Sequence, residues 1–207
     1  MTKDELIHEL VKTGYLKTPF LIEAFRNIDR EDFVPESLTN EAYGNYPLPI
    51  GFGQTISQPL TVAFMLELLQ PQVGEKILDV GSGSGWQTAL LAYVVGDKGK
   101  IIAIERIPEL RVTAEKNISK YNFVEKGVAE VVLGDGSRGY ADGAPYDKIV
   151  AAAAGGEIPY EWKKQLKVGG RIVAPVRQSI MVVDKTGTDS FETEEHLGFS
   201  FVPLIKD

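Results

Sequence analysis

The 207-residue sequence predicts an α/β fold: an open, mainly parallel sheet with helices on both faces, a C-terminal antiparallel hairpin and an N-terminal helical extension. Three observations predict it. After Gly74, short apolar runs alternate with stretches of helical periodicity, the pattern of a sheet buried on both faces. The first of these runs, Ile77-Leu78-Asp79-Val80, passes into a glycine-dense turn that opens a helix. The last two strand-like runs are joined through Thr186-Gly187-Thr188-Asp189, a turn signal that pairs them as a hairpin on one edge of the sheet.

The elements follow in order. Thr2 and Glu5 have capping-box spacing ahead of Leu6, Ile7, Leu10 and Val11, with Gly14 as a stop, so residues 2–13 read as an amphipathic helix. Thr18 and Pro19 read as the N-cap and first turn of a second helix whose stripe is Phe20, Leu21, Ala24, Phe25 and Ile28. From Val34 to Pro59, prolines and glycines interrupt every periodicity, and the stretch reads as a long loop without elements of its own. Such loops are more often functional than idle. Residues 59–70 read as a helix stopped near Pro71. Strands are expected at 76–80, 100–105, 129–133, 148–152 and 170–175, with crossover helices at 85–95, 108–121 and 159–166. The hairpin pairs 180–184 with 195–204. The expected organisation is one domain over 1–207, with helices and a loop in 1–72 and the α/β core in 73–207.

Composition narrows the chemistry. Lys and Arg number 22 against 29 Asp and Glu, a net charge of −7, so a nucleic-acid partner is not expected. The absence of cysteine excludes disulfides, thiolate nucleophiles, zinc–thiolate sites and iron–sulfur clusters. His8 and His196 are the only histidines, which leaves little for a mechanism built on several imidazoles; no metal site is expected. A charged start and no apolar run near the roughly 18 residues of a spanning helix predict neither signal peptide nor membrane segment, and hence a cytoplasmic protein.

The glycine turn is the most informative stretch. It follows a strand at what should be the ligand-binding edge of the sheet, where glycine lets a ligand approach the backbone. A dinucleotide fingerprint beginning at Gly81 and Gly83 would need its third glycine where Trp86 stands, and no Walker pattern exists. Asp79-x-Gly81-x-Gly83-x-Gly85 instead resembles the first motif of S-adenosylmethionine-dependent methyltransferases. The resemblance implies a Rossmann-like class I fold, S-adenosyl-L-methionine as cofactor, and binding roles for Asp79, Gly81, Ser82, Gly83, Ser84 and Gln87. Glu105, 20 positions beyond Gly85 and followed by Arg106, can accept from ribose hydroxyls, although a dehydrogenase would place an acid there too. The resemblance also implies that Asp135, in Gly134-Asp135-Gly136, meets the adenine amino group, with Gly136 beside it; the plain alternative is an Asp-Gly turn.

Acceptor chemistry sorts the methyltransferases. Cytosine-C5 transfer needs a cysteine, and the adenine-N6 motif is absent, its nearest string being Asn45-Tyr46-Pro47-Leu48. A carboxylate is ionised near pH 7 and needs no base, which is compatible with this acid–base poverty. Gly53-Gln54-Thr55-Ile56-Ser57-Gln58-Pro59-Leu60-Thr61-Val62-Ala63-Phe64-Met65 resembles the substrate-side motif of the protein-L-isoaspartate O-methyltransferases. Asp32-Phe33-Val34-Pro35, Ala144-Pro145-Tyr146-Asp147 and Glu157-Ile158-Pro159 fall in that family's order as well. The resemblance implies isoaspartyl-containing proteins or peptides as acceptors and repair through a succinimide.

Ser57 reads as an N-cap for the helix at Pro59, whose amides and dipole can hold a carboxylate. Ser57 is therefore expected to orient the acceptor, with Thr55 and Ile56 closing the channel to the cofactor and Gln58 and Leu60 touching substrate backbone. Three departures stand out: Ala152 where the family often has threonine, Gly156 where proline is frequent, and Arg177 where glycine is usual. A methyltransferase for another acceptor, or a non-catalytic S-adenosylmethionine-binding module, are the alternatives. A monomer is expected.

Overall fold

The helical extension forms as its local signals dictate. In the computed structural model, which describes residues 1–205, helix α1 (Lys3–Lys12) carries the full capping box: Thr2 Oγ1 accepts from the Glu5 amide at 3.2 Å, and the Glu5 carboxylate accepts from the Thr2 amide at 2.8 Å. Helix α2 (Pro19–Asn27) starts at Pro19, but Thr18 does not cap it with its side chain. The Thr18 hydroxyl donates to Glu67 at 2.7 Å, and the amides of Lys17 and Thr18 donate to the same carboxylate at 2.6 and 2.7 Å.

Residues 34–58 are not a bare loop. A 3-10 turn at Arg30–Phe33 leads into this stretch, which holds a second at Glu36–Glu41 and an antiparallel ribbon of β1 (Leu48–Gly51) and β2 (Gln54–Ile56). The prolines and glycines that break periodicity fit a two-stranded ribbon, where Pro49 has no central-strand ladder to disrupt and Gly51 and Gly53 flank the turn. Helix α3 (Pro59–Leu69) follows.

The main sheet contains β3 (Lys76–Val80), β4 (Lys100–Glu105), β5 (Ala129–Leu133), β6 (Tyr146–Ala151), β7 (Leu166–Val176), β8 (Ser179–Lys185) and β9 (Phe191–Leu197), in the order β5-β4-β3-β6-β7-β8-β9. Pairing is parallel from β5 to β7 and antiparallel from β7 to β9. Helices α4 (Trp86–Val95), α5 (Pro108–Ser119) and α6 (Tyr160–Gln165) make the crossovers. The first three strands lie where expected. Strand β6 begins earlier, at Tyr146, and β7 runs from Leu166, directly from the end of α6.

The hairpin needs a larger correction. Its second strand is 191–197, not 195–204. The amides of Gly198 and Phe199 both donate to the Gln178 carbonyl at 3.1 Å, which turns the chain out of the ladder, and Phe199 stacks on Phe64 at 5.2 Å. Residues 200–205 then cross back to the β6–α6 connection, where Ala154 bonds Val202 and Leu204 through its amide and carbonyl, both at 2.8 Å.

Two apolar clusters fill the faces of the sheet. One gathers Leu10, Leu21 and Phe25 of the extension with residues of α3, α4 and α5; the other gathers Leu78, Ile104, Tyr146 and Ile172 around Trp162 of α6. Helix α3 is anchored at its C-terminal end, where carbonyls and helix dipole favour cations. Arg171, itself paired with Asp184 at 2.7 and 2.8 Å, donates to the Leu68 carbonyl at 2.7 Å, and Lys148 donates to the carbonyls of Leu69 and Gln70. The other end of α3 is thereby held at the carboxyl edge of the sheet. No helix among the described residues is long and apolar enough to cross a membrane.

Candidate active site

The turn after β3 uses its glycines for two purposes. Gly81, Gly83 and Gly85 have φ of 82°, 54° and 95°. A Cβ at Gly85 would meet Ile118 Cγ1 at 3.0 Å and the Ala114 carbonyl at 3.1 Å, so that glycine lets α4 approach α5. A Cβ at Gly81 would meet nothing within 4 Å; here the backbone faces open space. Asp79 lies under the turn, fully buried, and accepts from Gln87 Nε2 at 2.8 Å and Thr88 Oγ1 at 2.6 Å. Burial pushes its carboxyl up to about 6, against the lowering effect of those donors. The carboxylate of Asp79, expected at the cofactor, is thus spent on holding the start of α4 and does not border the cleft.

The cleft itself encloses about 640 Å³, part of it open to solvent. Val80, Ile104 and Ile107 give it apolar walls, Gly81 and Gly83 a backbone floor, Glu105 and Arg106 a polar side, and Val202, Pro203, Leu204 and Ile205 a cover. The Glu105 carboxylate is locked: Oε2 accepts from the Gly83 amide at 2.9 Å, and Oε1 from the amides of Arg106 and Ile107 at 2.9 and 3.0 Å. Acceptor capacity remains on Oε2. Asp135 does not border the cleft. Its carboxylate accepts from the Ser137 amide and hydroxyl, both at 2.9 Å, closing an Asx turn that caps the 3-10 turn at Gly136–Arg138. Gly136 reaches the cleft instead, pressed so close that a Cβ there would meet Val80 Cγ1 at 2.5 Å.

A smaller cavity of about 330 Å³ lies beneath the turn, lined by Ile56, Ser57, Ser82, Ser84, Trp86 and Gln87 among others. The buried Ser82 hydroxyl has no hydrogen-bond partner, and the Ser84 carbonyl accepts from Asn117 at 3.0 Å. A third cavity, about 730 Å³, opens at the head of α3 between Pro47, Thr55, Ser57, Gln58, Thr61, Ala152 and the segment Ser200, Phe201 and Val202. Among the described residues no charged side chain lines it. Thr55 and Ala152 border all three spaces, and Ser57 borders the last two.

Ser57 is not the N-cap of α3. Gln58 occupies that position without a side-chain cap, and Asn45 Oδ1 accepts from the Leu60 amide at 3.1 Å. The Ser57 carbonyl is meanwhile taken by Arg30, and Leu60 is absent from the cavity lining. Sequence reasoning missed the cover formed by 200–205, which no local pattern announces, and the wall residues Ile104 and Ile107, which the strand-end string Ile104-Glu105-Arg106-Ile107 could have supplied. Among the described residues no group of three or more His, Asp or Glu is placed to hold a metal ion.

The dimensions and chemistry of the cleft fit S-adenosylmethionine: a strand-end carboxylate for hydroxyls, apolar walls for a flat ring, open backbone at Gly81. Comparison with known proteins agrees. The family model described as protein-L-isoaspartate(D-aspartate) O-methyltransferase matches residues 1–207. Relatives of that name from Methanopyrus kandleri and Ignicoccus hospitalis are 42% and 44% identical, covering 98% and 99% of this chain and 91% and 98% of their own. A Plasmodium falciparum structure of this type, in complex with S-adenosyl-L-homocysteine, superposes with a TM-score of 0.89 over all of both chains at 21% identity, a likeness of fold. Another protein-L-isoaspartate O-methyltransferase structure gives 0.87 at 27% identity over 98% of this chain and 65% of its own. The chain belongs to the protein-L-isoaspartate(D-aspartate) O-methyltransferase family.

Proposed function

We propose that the protein transfers the methyl group of S-adenosyl-L-methionine to the free carboxylate of L-isoaspartyl residues in damaged proteins or peptides, with Ser57 and Thr55 at the point of transfer. The observation that carries this reading is the meeting of donor cleft and acceptor cavity at Thr55 and Ala152. When bound, S-adenosylmethionine supplies an electrophilic methyl carbon on sulfur. Gly81, Gly83, Glu105, Arg106 and Gly136 form the donor cleft, Ile56, Ser82, Ser84 and Gln87 line the space beneath, and Asp79 and Asp135 shape the turns that carry them.

Among the described residues the acceptor side has hydroxyls and an amide but no titratable side chain. That suits a nucleophile already ionised near pH 7. The Ser57 hydroxyl donates to one carboxylate oxygen and leaves the other to face the methyl carbon, while the N-terminal end of α3 favours the negative charge. Catalysis is then chiefly alignment. Gln58, whose Nε2 donates to the Asn45 carbonyl at 2.9 Å, borders the same cavity and touches substrate. The ester formed is attacked by the following backbone nitrogen; methanol leaves, a succinimide forms, and water opens it in part to normal aspartate.

The test is an isoaspartyl peptide with methyl-labelled S-adenosylmethionine. A base-labile methyl ester on that peptide, and none on its aspartyl counterpart, is the expected result. No ester from folded protein that binds S-adenosylhomocysteine would refute the reading, and equal labelling of both peptides would assign a different acceptor.

A further inference from the structure

Arg30 is a buried cation that the scheme above leaves without a task. It is 1% exposed, and burial lowers its guanidinium to about 10, still protonated at neutral pH. Its hydrogen bonds all go to main-chain carbonyls. Nη1 donates to Ala42 at 2.6 Å and reaches Gly44 at 3.4 Å; Nη2 donates to Tyr46 at 3.1 Å and to Ser57 at 3.0 Å. On its other side the guanidinium carbon lies 5.3 Å from the centre of the Trp86 ring, the first residue of α4 after the glycine turn.

A buried guanidinium held by carbonyls is a costly way to fill a core, since apolar side chains of similar volume commonly do as well. What it offers is a planar fork that binds several groups in fixed relation and stacks on a ring at the same time. Here the fork ties both ends of the ribbon segment, before β1 at Ala42 and Tyr46 and after β2 at Ser57, to the helix that begins at the donor site.

We propose that Arg30 is a positioning residue for methyl transfer, fixing the backbone of Ser57, and through it the acceptor hydroxyl, against the glycine turn. This rests on the reading of Ser57 given above. Arg30→Lys keeps a cation in the site but removes the fork. The expected result is unchanged S-adenosylhomocysteine affinity of the folded protein and a lowered melting temperature, because buried carbonyls lose their donors, with kcat on an isoaspartyl peptide at a temperature where the variant is folded lowered about tenfold to a hundredfold and KM altered less than threefold. Turnover of the folded variant within twofold of the parent protein, or a parallel fall in cofactor affinity and kcat, would overturn the proposal. Absence of ester with the parent protein would remove the methyl-transfer reading itself, and with it the role of Arg30.

A measurement on the unaltered protein covers the case in which Arg30→Lys fails to fold. With arginine side chains labelled by nitrogen-15 and S-adenosylhomocysteine bound, the Arg30 guanidinium signals should be protected from exchange and shift on adding isoaspartyl peptide. Signals that ignore saturating peptide would overturn the proposal.

Discussion

On the donor side, Gly81, Gly83 and Glu105 stand at the ends of neighbouring parallel strands and are fixed by contacts within that ladder: the Gly81 amide on the Ile104 carbonyl at 2.8 Å, the Gly83 amide on Glu105 at 2.9 Å. On the proposed acceptor side, Thr55, Ser57 and Gln58 belong to a ribbon and a helix start tied by Arg30 and Asn45, with Ser200, Phe201 and Val202 of the returning segment lining the same cavity. The sheet's own register builds the donor half, whereas the acceptor half is assembled by long-range polar bonds. The first should fail through loss of binding, the second through loss of turnover.

The largest effect tests the donor half from beneath. The Asp79 carboxyl is raised by burial to about 6 from an ordinary 3.8, so between those values the folded state binds more protons than the unfolded one, and stability falls as pH rises through about 4 to 6. The span is on the order of 3 kcal/mol. Asp79→Asn should flatten this part of the curve in denaturant titrations from pH 4 to 7; an unchanged slope would mean that another group carries it.

Next comes Glu105→Ala, which strips the amides of Gly83, Arg106 and Ile107 of their acceptor. Calorimetry should show S-adenosylhomocysteine binding weaker by about 1–3 kcal/mol. Unaltered affinity would detach Glu105 from the donor site.

The acceptor half predicts a separation between two neighbours. Asn45→Ala should cost about 1 kcal/mol of stability, because Asn45 does the capping that Ser57 does not. Ser57→Ala should leave stability and S-adenosylhomocysteine affinity unchanged while kcat falls about tenfold. A fall in melting temperature on Ser57→Ala, without loss of turnover, would restore Ser57 as a mere cap.

The smallest effect concerns Arg177. It sits in the β7–β8 turn with φ of 55°, a left-handed position where a side chain is strained, which accounts for the glycine usual in the family. Arg177→Gly should stabilise the fold by about 0.5–1 kcal/mol in chemical denaturation. Destabilisation would show that the arginine makes a compensating contact.

The contrast between the halves also explains what could be read in advance. Asp79 to Gly85 and Glu105 are strand ends followed by turns, so their placement follows from hydrophobic periodicity and glycine spacing. Ser57 is legible as the residue beside the acceptor, but the capping role given to it belongs to Asn45, and nothing in the string around Ser57 reveals that Asn45 supplies that bond. The resemblance points Asp135 at the adenine amino group, whereas its carboxylate turns to Ser137, two residues on, as in the plain turn that Asp-Gly also allows. Arg30 lies in Asp29-Arg30-Glu31-Asp32, which looks like a solvated run of charge, and only the folded chain shows that its guanidinium is surrounded by carbonyls. Residues 198–204 read as strand because apolar alternation does not show where a chain leaves its ladder.

The central claim is that donor and acceptor meet at Thr55 and Ala152. A crystal structure with S-adenosylhomocysteine and an isoaspartyl peptide tests it directly. The account predicts the peptide carboxylate within hydrogen-bond distance of the Ser57 hydroxyl and the cofactor sulfur facing it past Thr55 and Ala152. A carboxylate seated away from Ser57, or a sulfur separated from it by intact protein at that junction, would contradict it.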